Sequence, residues 1–307
     1  MAKDKRVLGN LLLTLTAIIW GTAFAAQRIG MEHVEPVTFT AARMVPAALA
    51  VGAVSAAMGA REKERGIPRT AEEDASRRKN TLLGGLCCGL FLTAASLFQQ
   101  IGMVYTTAGK AGFITAMYML LVPVIEFLVF KKRYPWTVWL AVAVGVVGMY
   151  LLCVTEDFRL TRGDALVCLC ALMFSGHILC CSHFARLGDP VRISAIQFGV
   201  VAVISGVIAF CTETPSWEKV AAAAAPILYC GLMSGGVGYT LQIVAQRYTD
   251  PAIASLLLSL EAVFALLGGA LLLGERMSGR ELLGCLILFA AIVLVQLPAP
   301  GKRRAAE

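Results

Sequence analysis

The residue best placed to do chemistry is Glu261, a carboxylate in the middle of an apolar run. Leu256, Leu260 and Phe264 surround it, and no Lys or Arg lies within a helical turn. If the run crosses a membrane, a charge at its centre costs about 2.5–3.5 kcal/mol, so the side chain should face the interior of a helix bundle. Glu261 therefore predicts either a cavity carboxylate that responds to protons or cations, or a hydrogen bond that fixes two helices together.

Other apolar runs carry polar side chains suited to a small polar molecule. Gln99 and Gln242 have amides that either bind a substrate or link helices, at about 0.6 kcal/mol per bond. Tyr239 precedes Gln242 by three residues, so both lie on one helical face. Gln100 is predicted to face elsewhere. The glycines at 235, 236 and 238 predict either close helix packing or a hinge.

Three further residues have two interpretations each. Trp20 lies too deep in its run for the aromatic belt of a membrane interface, so it either stacks on an aromatic or cationic substrate or packs in the core. His177 either carries a proton near neutral pH or, as a neutral ring, bonds to a neighbouring helix. Arg43 lies about two turns from the end of its run. It either extends toward the interface or pairs with an acid or a substrate carboxylate.

The composition indicates that lipid surrounds these residues. Of the 307 residues, 58% are hydrophobic and 15% are charged, and the mean hydropathy is +0.74. Average soluble domains carry about 25% charged residues. A soluble domain of this length still exposes roughly a quarter of its unfolded surface, so it cannot bury so much apolar area. A large soluble domain, a nucleic-acid-binding module and a disulfide-rich scaffold are therefore excluded.

Ten apolar runs have the length of a membrane span, about 20 residues. They cover residues 10–30, 37–59, 81–104, 108–130, 135–154, 163–185, 190–211, 221–245, 250–273 and 279–298. With the N-terminus in the cytoplasm, about 19 Lys and Arg fall inside and about 7 outside, as the positive-inside rule requires. We expect a multi-pass protein of the plasma or inner membrane with both termini cytoplasmic. The net charge of +7 is then an orientation signal, and no nucleic-acid partner is expected.

The ten cysteines all lie in or at the ends of these runs. None forms a CxxC pair with histidine at metal-binding spacing. We interpret them as small buried hydrophobic residues and predict no metal site and no cofactor.

An internal repeat relates the two halves of the chain. At an offset of 154, residues 35–37 align with residues 189–191, and Arg43 aligns with Gln197. At an offset of 143, Gln99 aligns with Gln242, and Tyr105-Thr106 aligns with Tyr248-Thr249. One insertion in the basic segment 61–80 explains both offsets. Because the repeat needs the first run as a helix, that run is interpreted as a span and not as a cleaved signal peptide.

The repeat predicts an all-α membrane protein with ten transmembrane helices in two inverted five-helix repeats, residues 1–155 and 156–307. An odd number of spans per copy inserts the second copy upside down, an arrangement typical of secondary transporters with a site near the midplane. At the offset of 143, Glu261 corresponds to Tyr118. The two repeats thus each place one polar group at the same depth, which favours a shared cavity.

Several motifs, in order along both halves, resemble the EamA-type family of the drug/metabolite transporter superfamily. They are WGTAF at 20–24, AAR at 41–43, YTTAGKAGF at 105–113, LSLEAVF at 258–264 and LGER at 273–276. The resemblance implies ten helices, inverted repeats and export or exchange of small metabolites such as amino acids. The family usually has proline after the glutamate of the ninth span. Here that residue is Ala262, which leaves a kink at this point open.

We therefore predict a secondary transporter, an exporter or exchanger of small polar metabolites such as amino acids, that works by alternating access. The candidate substrate-binding residues are Trp20, Gln99, Tyr118, His177, Tyr239, Gln242 and Glu261, with Glu261 also the candidate for proton coupling. No catalytic residue is predicted. The expected partners are the substrate and membrane lipid. A monomer already holds both repeats, and nothing in the sequence forbids a homodimer.

Two rival functions stay open at this stage. One is a lipid or lipid-head-group flippase of the same superfamily, which needs a lateral opening for acyl chains. The other is an integral-membrane enzyme, which needs clustered His, Asp or Glu near the interface. The predicted outer loops offer only scattered acids and no spaced metal set. No nucleotide-binding GxxxxGK[ST] motif occurs in the sequence.

Overall fold

The computed structural model describes residues 2–64, 70–106, 108–154, 161–273 and 278–296, and the regular elements there are all helices. The first half contains α1 (Ala2–Met31), α2 (Pro36–Glu64), α3 (Ala71–Tyr105), α4 (Ala108–Ala116), α5 (Tyr118–Leu128) and α6 (Trp136–Cys153). The second half contains α7 (Arg162–Leu187), α8 (Pro190–Thr212), α9 (Trp217–Ala222), α10 (Ala224–Tyr229), a π-helical segment (Cys230–Tyr239, the π segment), α11 (Thr240–Gln246), α12 (Pro251–Leu258), α13 (Glu261–Leu273) and α14 (Gly279–Gln296). Part of the LGER motif, residues 274–276, lies outside the described residues.

The described residues contain nine helices long and apolar enough to cross a membrane, together with a shorter apolar helix at Pro251–Leu267. The shorter helix occupies the position of the ninth predicted span. The all-helical membrane architecture thus agrees with the sequence, and a tenth span depends on this shorter helix. Helix α3 begins at Ala71 and not at residue 81, because Thr70 and Glu73 form a capping box before it.

Two of the membrane helices are broken at equivalent positions in the two halves. One break separates α4 from α5, directly before Tyr118, and the other separates α12 from α13, directly before Glu261. The backbone tightens at both: Met117 N–H donates to a carbonyl three residues back at 3.1 Å, and Leu260 N–H does so at 3.2 Å. Such short turns interrupt the regular α-helical ladder.

The second break forms although Ala262 stands where the resemblance to the EamA-type family leads us to expect proline. Ser259 donates its hydroxyl proton to the carbonyl of Leu256 at 2.7 Å, one turn earlier. A serine that bonds to the preceding turn often bends a helix. Ala262 N–H also donates to the carbonyl of Ser259, at 3.3 Å. The helix break next to Ala262 thus coincides with a serine that bonds to the preceding turn and with a short turn of the backbone.

The two halves are interlocked through pairs of equivalent helices. Helix α2 packs on α8, and α6 packs on α14. In the second pair Gly148 meets Gly284 so closely that a Cβ on Gly148 would lie 2.9 Å from the Gly284 carbonyl oxygen. Small residues allow helices in a bilayer to approach to this distance. Each of these contacts joins a helix of the first half to its equivalent in the second half, which fits the inverted repeat.

Polar contacts at the helix ends define two faces of the bundle. At the first, which we call the basic face, Arg77 at the start of α3 pairs with Asp189 before α8 at 2.7 Å. Near the start of α1, Thr249 donates to the Asn10 side chain at 3.2 Å on this same side of the bundle. The other end of the bundle, which we call the opposite face, holds the end of α8 and the start of α2.

At the opposite face, Glu213 caps the first turn of α2. Its Oε1 accepts the Val37 N–H at 2.9 Å, and its Oε2 accepts the Thr38 N–H and the Thr38 hydroxyl, each at 2.7 Å. The first N–H groups of a helix have no partner within the helix, so an acceptor from another element satisfies them. Glu213 thus ties the end of the second-half helix α8 to the start of its first-half equivalent.

Replacing Glu213 by Ala is expected to lower the free energy of unfolding by about 1–2 kcal/mol, because the loss of a helix cap costs roughly this much. Thermal unfolding of the purified protein measures the change. Glu32→Ala, which removes an exposed carboxylate near the same face, is the matched control and should leave the unfolding temperature unchanged. Equal unfolding temperatures for both variants would contradict a stabilising role of the cap.

Candidate substrate-binding cavity

A central cavity with about 40 Å³ of open space lies between the two halves. This space holds a few water molecules, at roughly 10–15 Å³ each by this measure, so a larger molecule requires the surrounding side chains to move apart. The walls of the cavity come from α1–α5 in the first half and from α7, the π segment and α11–α13 in the second. The residues that line it are Trp20, Phe24, Gln27, Arg43, Gln99, Thr115, Tyr118, Phe174, Ile178, Ser234, Tyr239, Gln242, Leu258 and Glu261.

The structure brings Tyr118 and Glu261 together in this cavity. The Tyr118 hydroxyl donates to Glu261 Oε1 at 3.2 Å, and both side chains are buried. Each is the first residue of a half-helix, α5 for Tyr118 and α13 for Glu261. The start of a helix carries a partial positive charge that favours a carboxylate. The two broken helices therefore present an acid and its donor to one space, at positions that the repeat relates.

Trp20 and Tyr239 form an aromatic wall beside this pair. Their ring centres are 4.6 Å apart, and the Trp20 indole N–H donates to the Ser234 carbonyl at 3.1 Å. A Cβ on Gly238 would lie 2.6 Å from the Trp20 indole nitrogen, so glycine is needed there. Close packing is one of the two roles that the glycine run predicted. The run lies in the π segment, a conformation common at functional sites, and the hinge stays a prediction.

Gln99 and Gln242 both line the cavity but differ in their bonding. Gln99 donates from Nε2 to the Thr115 hydroxyl at 3.3 Å. Gln242 is 1% exposed, and its Oε1 has no hydrogen-bond partner among the described residues. A buried acceptor without a partner costs about 1–3 kcal/mol. Gln242 therefore has an unused carbonyl oxygen that a donor on a bound molecule could satisfy.

His177 is the one residue of the seven predicted that does not line the cavity. It is completely buried behind Tyr239, with the two ring centres 5.7 Å apart. Its Nε2 lies 3.0 Å from the amide oxygen of Gln197 on α8 and 3.4 Å from the Cys181 sulfur. The bond to α8 is one of the two roles that the sequence predicted for His177, and its contact with a substrate stays a prediction.

A polar cluster at the cavity wall was only partly indicated by the sequence. The Arg43 Nη1 donates to Gln27 Oε1 at 2.8 Å, and the Gln100 side-chain amide donates to the same oxygen. Arg43 is therefore held inward and does not extend to the interface. Gln100, predicted to face elsewhere, is buried in this cluster. Gln27 was missed, although it follows Trp20 by seven residues, about two helical turns, and so shares its face.

The cavity lining reaches further toward the opposite face than toward the basic face. Gln27 lies four residues before Met31, Arg43 lies seven residues after Pro36, and both of these helix ends are at the opposite face. Cys181 and Gln197, which the offset of 154 aligns with Gln27 and Arg43, are fully buried and do not line the cavity.

The described residues contain no group of three or more His, Cys, Asp or Glu side chains arranged to hold a metal ion. The ten cysteines are all unpaired, and their environments range from buried to exposed. The sulfur atoms of Cys181 and Cys88 lie 3.7 Å apart, between α7 and α3. The polar chemistry of the cavity therefore comes from the carboxylate, guanidinium, amide and aromatic groups described above.

Membrane-spanning helices in two related halves, whose broken helices meet at a polar cavity, define a multi-pass membrane transport protein. The relationship to known proteins agrees with this class. The chain belongs to the EamA-like transporter family, whose sequence pattern matches it twice, at residues 7–154 and 161–297.

Individual relatives cover almost the whole chain. An uncharacterized transporter of Archaeoglobus fulgidus is 29% identical over 293 residues, which are 95% of this chain and 87% of that protein. A probable terminal-alkyne amino-acid exporter of Streptantibioticus cattleyicolor is 23% identical over 301 residues, covering 96% of this chain and 95% of the exporter. A solved crystal structure superposes with a TM-score of 0.75 at 17% identity, covering 95% of this chain and 97% of the other. That last similarity shows the fold alone.

Proposed function

We propose that the protein is a secondary transporter that exports small polar metabolites, amino acids among them, by alternating access and without enzymatic activity. The observation that carries the proposal is the Tyr118–Glu261 hydrogen bond across the two halves, at the ends of two broken helices inside the cavity. Discontinuous helices at the interface of inverted repeats are where transporters bind substrates and coupling ions. Tyr118 comes from the first half and Glu261 from the second, so a molecule bound at this pair contacts both halves.

The chemistry of the lining supports a small molecule with polar and apolar parts. Trp20 and Tyr239 offer aromatic surface, and the free carbonyl oxygen of Gln242 offers an acceptor. Glu261 offers a carboxylate that attracts a proton or an amine. A few polar groups placed on an apolar wall are the usual composition of a small-molecule site. The relative from Streptantibioticus cattleyicolor, named as a probable amino-acid exporter, supports the same substrate class.

The shape of the cavity supports alternating access. We assign the basic face to the cytoplasm, on the inner membrane, because Lys and Arg concentrate there. The cavity then extends away from the cytoplasm, which is the shape from which an exporter releases its substrate. If each repeat adopted the conformation of the other, the cavity would open to the cytoplasm, where an exporter binds its substrate.

A network of ion pairs and a hydrogen bond at the basic face favours a conformation that is closed to the cytoplasm. Lys132 Nζ contacts Glu126 Oε1 at 3.1 Å and Asp250 Oδ1 at 3.0 Å, which ties the end of α5 to the start of α12. The Tyr134 hydroxyl also donates to Glu126. Burial, followed by this hydrogen bond, raises the pKa of Tyr134, so the phenol keeps its proton at physiological pH. Cytoplasmic opening would break these contacts, because they join two of the broken helices.

The test is transport by the purified protein in liposomes and in a strain without its own efflux systems. Accumulation of amino acids and cationic dyes is measured with and without a proton gradient. We expect at least one amino acid to cross faster than in protein-free liposomes, with a rate that the gradient changes. Failure of every compound in a broad panel to cross would overturn the proposed function.

A further inference from the structure

Arg43 is a buried cation without an ionic partner. Its side chain is 5% exposed and lines the cavity, and no carboxylate of the described residues forms an ion pair with it. Its Nε has no hydrogen-bond partner either. Taking a charge out of water is costly unless an opposite charge compensates for it. The structure thus holds a positive charge without an ionic partner at the wall of the cavity.

The neighbours of Arg43 orient the guanidinium without neutralising it. Gln27 Oε1 accepts from both Arg43 and Gln100, so one neutral oxygen serves two donors. The Phe39 ring, one turn earlier on α2, lies 5.7 Å from the guanidinium carbon. Cation–π contacts of this kind contribute about 0.5–2 kcal/mol, less than a carboxylate partner. The Cys230 thiol also lies beside the guanidinium, and the Arg43 Nε remains a donor without a partner among the described residues.

The backbone at Arg43 is fixed by its packing on the second half. A Cβ on Gly231 of the π segment would lie 2.4 Å from the Arg43 carbonyl oxygen, so the two helices touch at this point. At the equivalent position of the second repeat stands Gln197, a neutral amide bonded to His177. The cavity therefore has a cation built into its wall near the opposite face and no equivalent cation from the other repeat.

The opposite charge in the same cavity is Glu261, which lies at the central helix break. Glu261 bonds to the Tyr118 hydroxyl and forms no ion pair with Arg43. Trp20 and Tyr239 line the wall of the same space. A cavity with a cation, a separate carboxylate and an aromatic wall matches a molecule that carries a carboxylate, an amine and an apolar side chain.

We propose that Arg43 binds the carboxylate of an amino-acid substrate, whose ammonium group faces Tyr118–Glu261 and whose apolar side chain contacts Trp20 and Tyr239. This inference rests on the proposed function and adds an orientation and a specificity residue to it. The guanidinium presents several N–H donors in a planar fork that fits a carboxylate, and charged hydrogen bonds of this type are the strong ones. The bound carboxylate points toward the opposite face.

The experiment compares L-leucine with L-leucinamide, which keeps the amine and the side chain but lacks the carboxylate. Each competes against labelled L-leucine for exchange in liposomes that contain the full-length protein, at a mildly acidic pH where both amines are charged. L-phenylalanine and its amide form a second pair of probes. We expect the acids to compete at least tenfold more strongly than the amides, because a charge-assisted contact to Arg43 is lost in the amide.

Arg43→Gln should reduce this acid-to-amide preference to less than threefold, whereas Arg43→Lys should retain part of it. Arg28→Gln, which removes an exposed cation near the same face, is the matched control and should keep the wild-type preference. The preference is a ratio within one preparation, so it does not depend on how much protein is inserted. If Arg43→Gln does not fold, the wild-type and Arg43→Lys ratios decide the matter.

The outcomes separate the two proposals. If neither amino acids nor dyes exchange, the proposed function itself fails. If dyes exchange but amino acids do not, or if acids and amides compete equally with wild-type protein, the carboxylate subsite is overturned and transport stands. An Arg43→Gln protein that keeps the full preference also overturns it, because Arg43 is then only a structural partner of Gln27 and Gln100.

Discussion

Glu261→Gln is expected to lower the exchange rate at least tenfold and to remove its dependence on pH, while the protein stays folded. The amide has the shape of the carboxylate, and its oxygen can still accept the Tyr118 hydroxyl proton, so the contact between the two halves survives. What is lost is the ability to take up a proton or to pair with an amine. Hydrogen bonds to a charged group contribute about 1.5–3 kcal/mol, which corresponds to roughly tenfold to hundredfold in binding.

The measurement is initial exchange rate against pH in liposomes, with the unfolding temperature as a check on folding. Tyr118→Phe is the matched variant, because it removes the hydrogen-bond donor and leaves the carboxylate. It should reduce the rate less than Glu261→Gln and keep a dependence on pH. A Glu261→Gln protein with the wild-type rate and the wild-type pH profile would leave Glu261 only the packing role that the sequence also allowed.

The second large effect is expected at Gly21, where α1 packs against the start of α13. A Cβ at this position would lie 2.7 Å from the Ala265 nitrogen and 2.7 Å from the Glu261 carbonyl oxygen. Both are backbone atoms, so they cannot move aside as a flexible side chain would. Gly21→Ala should therefore push α13 away and destabilise the fold by about 1–3 kcal/mol, as overpacking of a dense interior does.

Because the displaced helix carries Glu261, the same substitution should also reduce exchange. Thermal unfolding and exchange are measured on the same preparation. The control is Gly52→Ala on α2, where an added Cβ meets nothing within 4 Å. In a helix, alanine is favoured over glycine by up to about 1 kcal/mol, so the control should be neutral or slightly stabilised. Identical behaviour of the two variants would contradict the close contact of α1 with α13.

The helical architecture could be predicted because it follows from the length and polarity of the apolar runs. The meeting of Tyr118 and Glu261 could also be predicted, since the offset of 143 places them at one depth in the two repeats. The depth of a residue in the membrane follows from its position within an apolar run, and that position can be read from the sequence. For the same reason Gln99 and Gln242 lie at the cavity, as expected from their symmetric positions.

The cluster around Arg43 could not be predicted because it depends on how neighbouring helices are rotated. Gln27 and Gln100 come from α1 and α3, and nothing in either run indicates that both amides reach the same guanidinium. His177 does not line the cavity for a related reason, because its imidazole contacts Gln197 of the neighbouring helix α8. Contacts between runs that are distant in sequence leave no periodic signal within either run.

The π segment makes the two halves geometrically unequal even where their sequences align. Its equivalent in the first half, residues 87–96, lies inside the continuous α-helix α3. A π turn holds one residue more than an α turn, and one residue corresponds to about 100° of rotation around a helix axis. Gln99 and Gln242 therefore meet the cavity in different helical phases, which accords with their different bonding. The offset of 143 runs through both segments without a gap, so the two copies differ in how tightly this stretch is wound and not in residue number.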